Sequence, residues 1–140
     1  MKLQIIAVGK MRDRHMAAIC DDYVQRARRH LPLEVLELED DDALARRLPA
    51  RGEIIALEPG GDAWTTEELA KHVGKQMLHG TPAITFVIGG ALGLPKDVVA
   101  KASRRLSLSN LTLPHRLARV VLCEQLYRAM TIIRGEPYHH

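Results

Sequence analysis

Residues 83–93 read AITFVIGGALG, and this stretch decides the fold. From Ala83 to Ile88 the run is apolar except for Thr85, and it is rich in β-branched and aromatic side chains. Such a run suits a strand covered on both faces, as in the middle of a parallel sheet. Gly89, Gly90 and Gly93 make a turn, and Pro95 then opens a helix in the first-turn position that proline tolerates. Parallel strands need helical crossovers between them. The same alternation of strand and helix should therefore extend outward in both directions.

Upstream, Leu3–Gly9 is an apolar run closed by glycine and reads as a buried first strand. Arg12–His30 follows with Met16, Ile19, Tyr23, Val24 and Ala27 on one helical stripe, and Pro32 ends it. Leu33–Glu39 alternates toward its end, as a half-exposed strand does. Asp40, Asp41 and Asp42 place negative charge at the start of a short helix over 43–48, where the helix dipole favours it. Glu53–Leu57 is a third strand. The PGGDAW turn at 59–64 leads into a capping box, with Thr65 as N-cap and Glu68 three residues on. The helix over 66–79 carries Leu69, Val73 and Met77 on one face, and Gly80 stops it.

Downstream, the helix entered at Pro95 runs to about Arg105, and Leu111-Thr112-Leu113 reads as a short strand halted by Pro114. A last helix spans about 116–134, and Gly135-Glu136-Pro137 turns into the tail Tyr138-His139-His140. The whole pattern predicts an α/β layer fold, a mainly parallel sheet flanked by helices, in one domain over residues 1–140.

Composition narrows the function classes. Hydrophobic content of 46% and charged content of 26% are those of an ordinary globular chain, and no apolar run approaches the roughly 18 residues of a membrane span. The apolar start is too short for a signal sequence with a cleavage site, which points to a cytoplasmic protein. Cys20 and Cys123 show no metal spacing and read as core thiols. Residues 1–90 hold 12 Lys/Arg and 14 Asp/Glu, whereas residues 91–140 hold 8 Lys/Arg and 3 Asp/Glu. A basic C-terminal third suggests an anionic partner, nucleic acid being the usual one; its bland counterpart is a solvated face.

The turn Gly89-Gly90-x-x-Gly93 is not a dinucleotide fingerprint. It lacks the GxGxxG spacing, follows the fourth strand rather than the first, and has no ribose-holding acid about 20 residues on. No Gly-Lys-Ser/Thr loop for a nucleoside triphosphate is present. What survives is a strand-end loop whose missing side chains let a flat ligand approach the backbone.

Four segments together carry a more specific pattern: VIGGALG, SLSNLTLPH, LARVVLCEQLYRA and the PYH tail. In this order they resemble the small SPOUT-class RNA methyltransferases. More narrowly they are similar to the bacterial ribosomal RNA large subunit methyltransferase H family, which methylates N3 of a pseudouridine in 23S rRNA. The likeness covers the whole chain. It implies a C-terminal deep trefoil knot, an exception to the rule that chains avoid knots, and a homodimer built largely on the C-terminal helices. It also implies S-adenosylmethionine as cofactor, no metal, no membrane, and 23S rRNA within the ribosome as substrate. Carried over, Leu57, Gly89, Leu108, Ser109, Asn110, Leu111, Thr112 and Leu113 would touch the cofactor. An apolar slot edged by exposed peptide groups is what an adenine ring needs. The chain departs from the family where Glu39-Asp40-Asp41-Asp42 replaces a longer, lysine-rich segment, and where His140 stands in place of a basic residue.

Methyl transfer from a sulfonium is an in-line displacement, so the protein must align the reactants and manage the proton on the acceptor imide nitrogen. Four residues are candidates. His115 and Arg119 sit one helical turn apart at the start of the last helix. Tyr138 and His139 lie on the tail, within reach of a partner subunit's pocket. In this reading His139 or a tail-bound water accepts the proton, Tyr138 positions or stacks on the target base, and Arg119 holds anionic substrate. The plainer alternatives are a cap or core histidine at His115, an intersubunit ion pair between Arg119 and Glu124, a packed terminal anchor at Tyr138 and a frayed end at His139. Glu124 and Arg128 form an ordinary helical pair. The last helix is apolar on more than one face, which favours burial against a second copy. Trp64 and Tyr23 read as core residues, so RNA would be read by shape and charge. Competing functions are a non-catalytic ribosome-binding factor, a SPOUT enzyme acting on another RNA such as tRNA, and a flavodoxin-like regulatory domain.

Overall fold

A computed structural model of the chain describes residues 1–140. Five strands and five helices alternate: β1 (Lys2–Val8), α1 (Arg14–Ala27), β2 (Leu33–Leu38), α2 (Asp41–Arg47), β3 (Glu53–Asp62), α3 (Thr66–Leu78), β4 (Ala83–Ile88), α4 (Lys96–Lys101), β5 (Arg104–Leu106) and α5 (His115–Arg134). All strand pairs are parallel, in the order β2-β1-β4-β3-β5. β4 is buried at all six positions, and the continuous apolar run reflects that central place.

Side chains alternate between the two sheet faces. Leu3, Ile5, Ile55, Ile84 and Phe86 face α1, α3 and α5 in one core, while Ile6, Ile54 and Val87 join Leu44 of α2 and Val98 of α4 in the other. The helix face switches with the direction of travel. The leftward steps β1 to β2 and β3 to β4 use α1 and α3, and the rightward steps β2 to β3 and β4 to β5 use α2 and α4. That is the pattern a uniform crossover hand requires.

Local signals place the helix ends. Asp13 caps α1 through the amides of His15 and Met16, Asp40 caps α2, and Thr65 with Glu68 completes a reciprocal box at α3. Gly80, at φ +71°, accommodates the left-handed turn after α3.

Several expectations are corrected. The helix entered at Pro95 ends at Lys101, and the fifth strand is Arg104–Leu106; Leu111-Thr112-Leu113 is loop. Three residues headed by two arginines carry too little apolar pattern to announce a strand, yet Ile55, Ala56 and Leu57 of β3 pair with all three. β3 itself continues to Asp62, through the segment expected to be a turn. Ile19 is exposed, and the buried positions of α1 are Cys20, Val24 and Ala27. The breadth of the apolar surface on α5 is largely explained within the chain. Leu122, Leu126, Ala129 and Met130 are buried in the main core, with Val120, Tyr127, Ile132 and Ile133 packed around it. No helix is long and apolar enough to cross a membrane.

Candidate active site

At the carboxyl end of the sheet, Leu57 of β3 stands in register with both Ile88 of β4 and Leu106 of β5. The connections leaving β3 and β4 depart to opposite faces, opening a crevice of the kind in which parallel α/β sheets bind ligands. Three backbone segments surround a cavity of about 740 Å³ there, closed at one side by His115 and Ala118 of α5.

The first wall is an irregularity in β3. Leu57 and Asp62 both pair with Leu106, so residues 58–61 bulge between them. Gly61 passes so close that a Cβ would lie 2.8 Å from the Arg105 carbonyl carbon, which only glycine allows. Glu58 accepts from Arg105 at 2.8 Å and ties the bulge to β5.

The second wall is the Gly89–Gly93 turn, closed by the Gly93 amide donating to the Gly90 carbonyl at 3.0 Å. A Cβ on Gly89 would overlap the Gly93 backbone, so the turn is this tight because position 89 has no side chain.

Residues 107–114 form the third wall. Ser107 Oγ donates to the Ser109 carbonyl at 2.9 Å, and the Leu111 amide donates to Ser109 Oγ at 2.9 Å. The amides of Leu108, Asn110, Thr112 and Leu113 make no hydrogen bond within the chain. The cavity thus offers leucine side chains and uncommitted peptide groups side by side. Those fit the flat apolar body and polar edge of an adenosyl group, the cofactor expected from sequence.

All eight residues expected to touch the cofactor, Leu57, Gly89 and the run from Leu108 to Leu113, line this one cavity together with His115. The other three predicted residues do not. Arg119 is buried at 3% exposure behind the cavity wall, donating to the Glu37 carboxylate and, at 2.8 Å, to the Gly9 carbonyl. Its ion-pair partner is thus Glu37 of the same chain, not Glu124. Tyr138 folds back along α5 and donates to Glu124 at 2.7 Å, with its ring 4.7 Å from that of Tyr127. Burial and this hydrogen bond push the Tyr138 phenol well above its ordinary range, so it stays a neutral donor. His139 bridges Glu67 of α3 at 2.7 Å and Arg128 at 3.1 Å.

Burial raises the Glu124 carboxyl, but hydrogen bonds from Arg128 and Tyr138 outweigh it and hold the group below the usual carboxylate range. The bond from His139 likewise lowers Glu67. Sequence reading missed Glu37, Glu58 and Gly61. Only the glycine pair in PGGD gave a local signal; the two acids matter through partners 82 and 47 positions away.

Comparison with known proteins agrees with the fold. Residues 1–139 match a family model described as a predicted SPOUT methyltransferase. A protein of Sorangium cellulosum named ribosomal RNA large subunit methyltransferase H is 46% identical, with 100% of both chains covered. Another of that name from Geobacter metallireducens is 39% identical, over 100% of this chain and 99% of the relative. Among solved structures, a probable methylase family protein from Haemophilus influenzae superposes with a TM-score of 0.64 at 12% identity, over 99% of this chain and 70% of the other. The chain belongs to the SPOUT methyltransferases and, within that class, to the ribosomal RNA large subunit methyltransferase H family.

Proposed function

We propose that this chain is an S-adenosylmethionine-dependent enzyme that methylates N3 of a pseudouridine in 23S rRNA, on the assembled ribosome and as a homodimer. One observation carries the reading: the cavity at the carboxyl end of the sheet joins apolar side chains to free peptide groups in a chain of this family. When bound, S-adenosylmethionine supplies an activated methyl group. The residues of the chain then have three tasks.

Leu57, Leu108 and Leu113 would hold the apolar body of the cofactor, and the unpaired amides of Leu108, Asn110, Thr112 and Leu113 would hold its polar edges. His115, which lines the cavity, would relay the proton of the acceptor nitrogen. Arg119 acts by position: its guanidinium is spent on Glu37 and Gly9, which fixes the start of α5 against the ends of β1 and β2.

The tail supplies the remaining groups to a partner's cavity. Tyr138 would orient the target base as a neutral donor, and His139 would accept the proton. Neither lines the cavity of its own chain, which favours action across a dimer. Exposed Leu111 and Leu117, beside the cavity and on the first turns of α5, are apolar surface for that contact. The knot is proposed from the family alone.

Calorimetric binding of S-adenosylmethionine, followed by labelled methyl transfer to ribosomes that lack the modification, tests this function. Binding with transfer is expected. Tight binding without transfer would leave the cavity reading and remove the substrate.

A further inference from the structure

The loop between β1 and α1 carries Lys10 and Arg12, and Arg14 opens α1; all three are exposed and none is in an ion pair, although six other Lys or Arg residues of the chain are paired with Asp or Glu. The backbone of the loop, by contrast, is tied down. The Gly9 amide donates to the Leu38 carbonyl at 2.7 Å, the Gly9 carbonyl accepts from Arg119 at 2.8 Å, and the Met11 amide donates to Glu37 at 2.7 Å. A braced backbone thus presents three free cations.

The loop also stands next to the cavity. β1 and β4 pair up to Ala7 and Ile88, and a Cβ on Gly90 would lie 3.6 Å from Val8 Cγ1. Arg116, half-buried beside Asp13 on the first turn of α5, adds a fourth cation between the cavity residues His115 and Ala118. That turn carries no acidic residue to neutralise it. The nearby acids are committed: Asp13 to the amides that cap α1, and Glu37 to Arg119. The acidic run from Glu39 to Asp42 follows β2, on the far side of β1 from the cavity. Charge at this end of the sheet is therefore divided, positive toward the cavity and negative at the outer edge.

We propose that Lys10, Arg12, Arg14 and Arg116 form a cationic lip that binds the sugar-phosphate backbone of the substrate RNA beside the target nucleotide. The proposal rests on the RNA-methylating function inferred above. Phosphates would replace the missing counter-charges, and the acidic edge would repel the same strand, so the RNA is steered across the cavity mouth.

The test is a triple variant, Lys10→Gln, Arg12→Gln and Arg14→Gln, compared with a variant of equal charge change on and just after α2: Arg46→Gln, Arg47→Gln and Arg51→Gln. Methyl transfer to ribosomes is measured against salt, and S-adenosylmethionine affinity is measured in parallel. The loop variant should raise KM for ribosomes about tenfold at moderate salt and flatten the salt dependence by about two phosphate contacts. Its cofactor affinity should stay unchanged, and the α2 variant should behave as wild type. An unchanged KM and salt slope in the loop variant, or an equal loss in the α2 variant, would overturn the lip while leaving the enzyme's function intact. A wild-type protein that binds cofactor but transfers nothing to ribosomes would overturn the RNA-methylating function, and the lip with it.

Discussion

Arg119 of α5 donates to the backbone carbonyl of Gly9, 2.8 Å away, across 110 positions of sequence. The same guanidinium holds Glu37, so one buried side chain clamps the ends of β1 and β2 to the helix whose first turn closes the cavity. Replacing Arg119 with methionine keeps the volume but leaves the Gly9 carbonyl unpaired. Because Glu37 is itself about one-third exposed, the cost should be about 2–3 kcal/mol, below the full loss for a wholly buried pair. Urea denaturation measures it, and a change under about 0.5 kcal/mol would show that the clamp does not support the fold.

Gly89→Ala tests the cavity wall. The new Cβ meets the Gly93 backbone, which cannot yield without moving the whole turn. Overpacking of this kind costs about 1–3 kcal/mol. The expected readout is at least a tenfold loss in S-adenosylmethionine affinity by calorimetry. Gly80→Ala, which has open space around it, should leave that affinity unchanged despite its strained φ.

How much of this was legible in the sequence depends on whether a feature is local. β4, the Thr65–Glu68 box, the Gly80 stop and the helix start after Pro114 are written in neighbouring residues, and the structure has them where periodicity and capping place them. β5 was missed because its strand character comes from pairing with β3, not from Arg104 and Arg105 themselves. Leu111-Thr112-Leu113 has strand-like residues but no strand beside it to pair with. The eight expected cofactor contacts came from a motif resemblance; that they share one cavity with His115 is a fact of the fold. Glu37 could not have been read as the partner of Arg119, because nothing in LELED distinguishes it from a solvated acid.

The tail should loosen in acid. The folded-state pKa of Glu124 lies below its unfolded value, because bonds from Arg128 and Tyr138 outweigh burial. The native state therefore binds this proton less readily than the unfolded chain. Its stabilisation is complete above the ordinary glutamate value of about 4.3 and is lost as pH falls through the lower folded value. The Tyr138 ring resonances should shift toward those of a free tyrosine below about pH 4. Glu124→Gln should abolish that acid transition, and an unchanged transition in this variant would assign it to another group.

His139→Ala and Tyr138→Phe separate chemistry from docking. Each removes a tail contact, His139 with Glu67 and Arg128, Tyr138 with Glu124. Neither should cost more than about 1.5 kcal/mol of stability. If His139 accepts the acceptor proton, its loss should lower turnover by about 10²-fold or more with little change in cofactor affinity. Unchanged turnover would return the proton to His115.

The thiols offer a check on the core. Cys20 and Cys123 are free thiols buried in the main core. The neighbouring Cys20 thiol and burial push the Cys123 thiol far above its ordinary range. Cys123 should resist alkylation in the native protein and react only on unfolding, as peptide mass mapping after iodoacetamide would show. Labelling of Cys123 under native conditions, at a rate like that of a free thiol, would contradict its placement.

The most direct test of the central claim is nucleoside mass spectrometry of 23S rRNA after incubation with labelled S-adenosylmethionine. The substrate is ribosomes from cells lacking this protein, with the Gly89→Ala variant run in parallel. A single labelled 3-methylpseudouridine, formed by the wild-type protein and sharply reduced with the variant, is the result predicted. Label in a different nucleoside, or equal label with Gly89→Ala, would contradict the assignment of this cavity to that reaction.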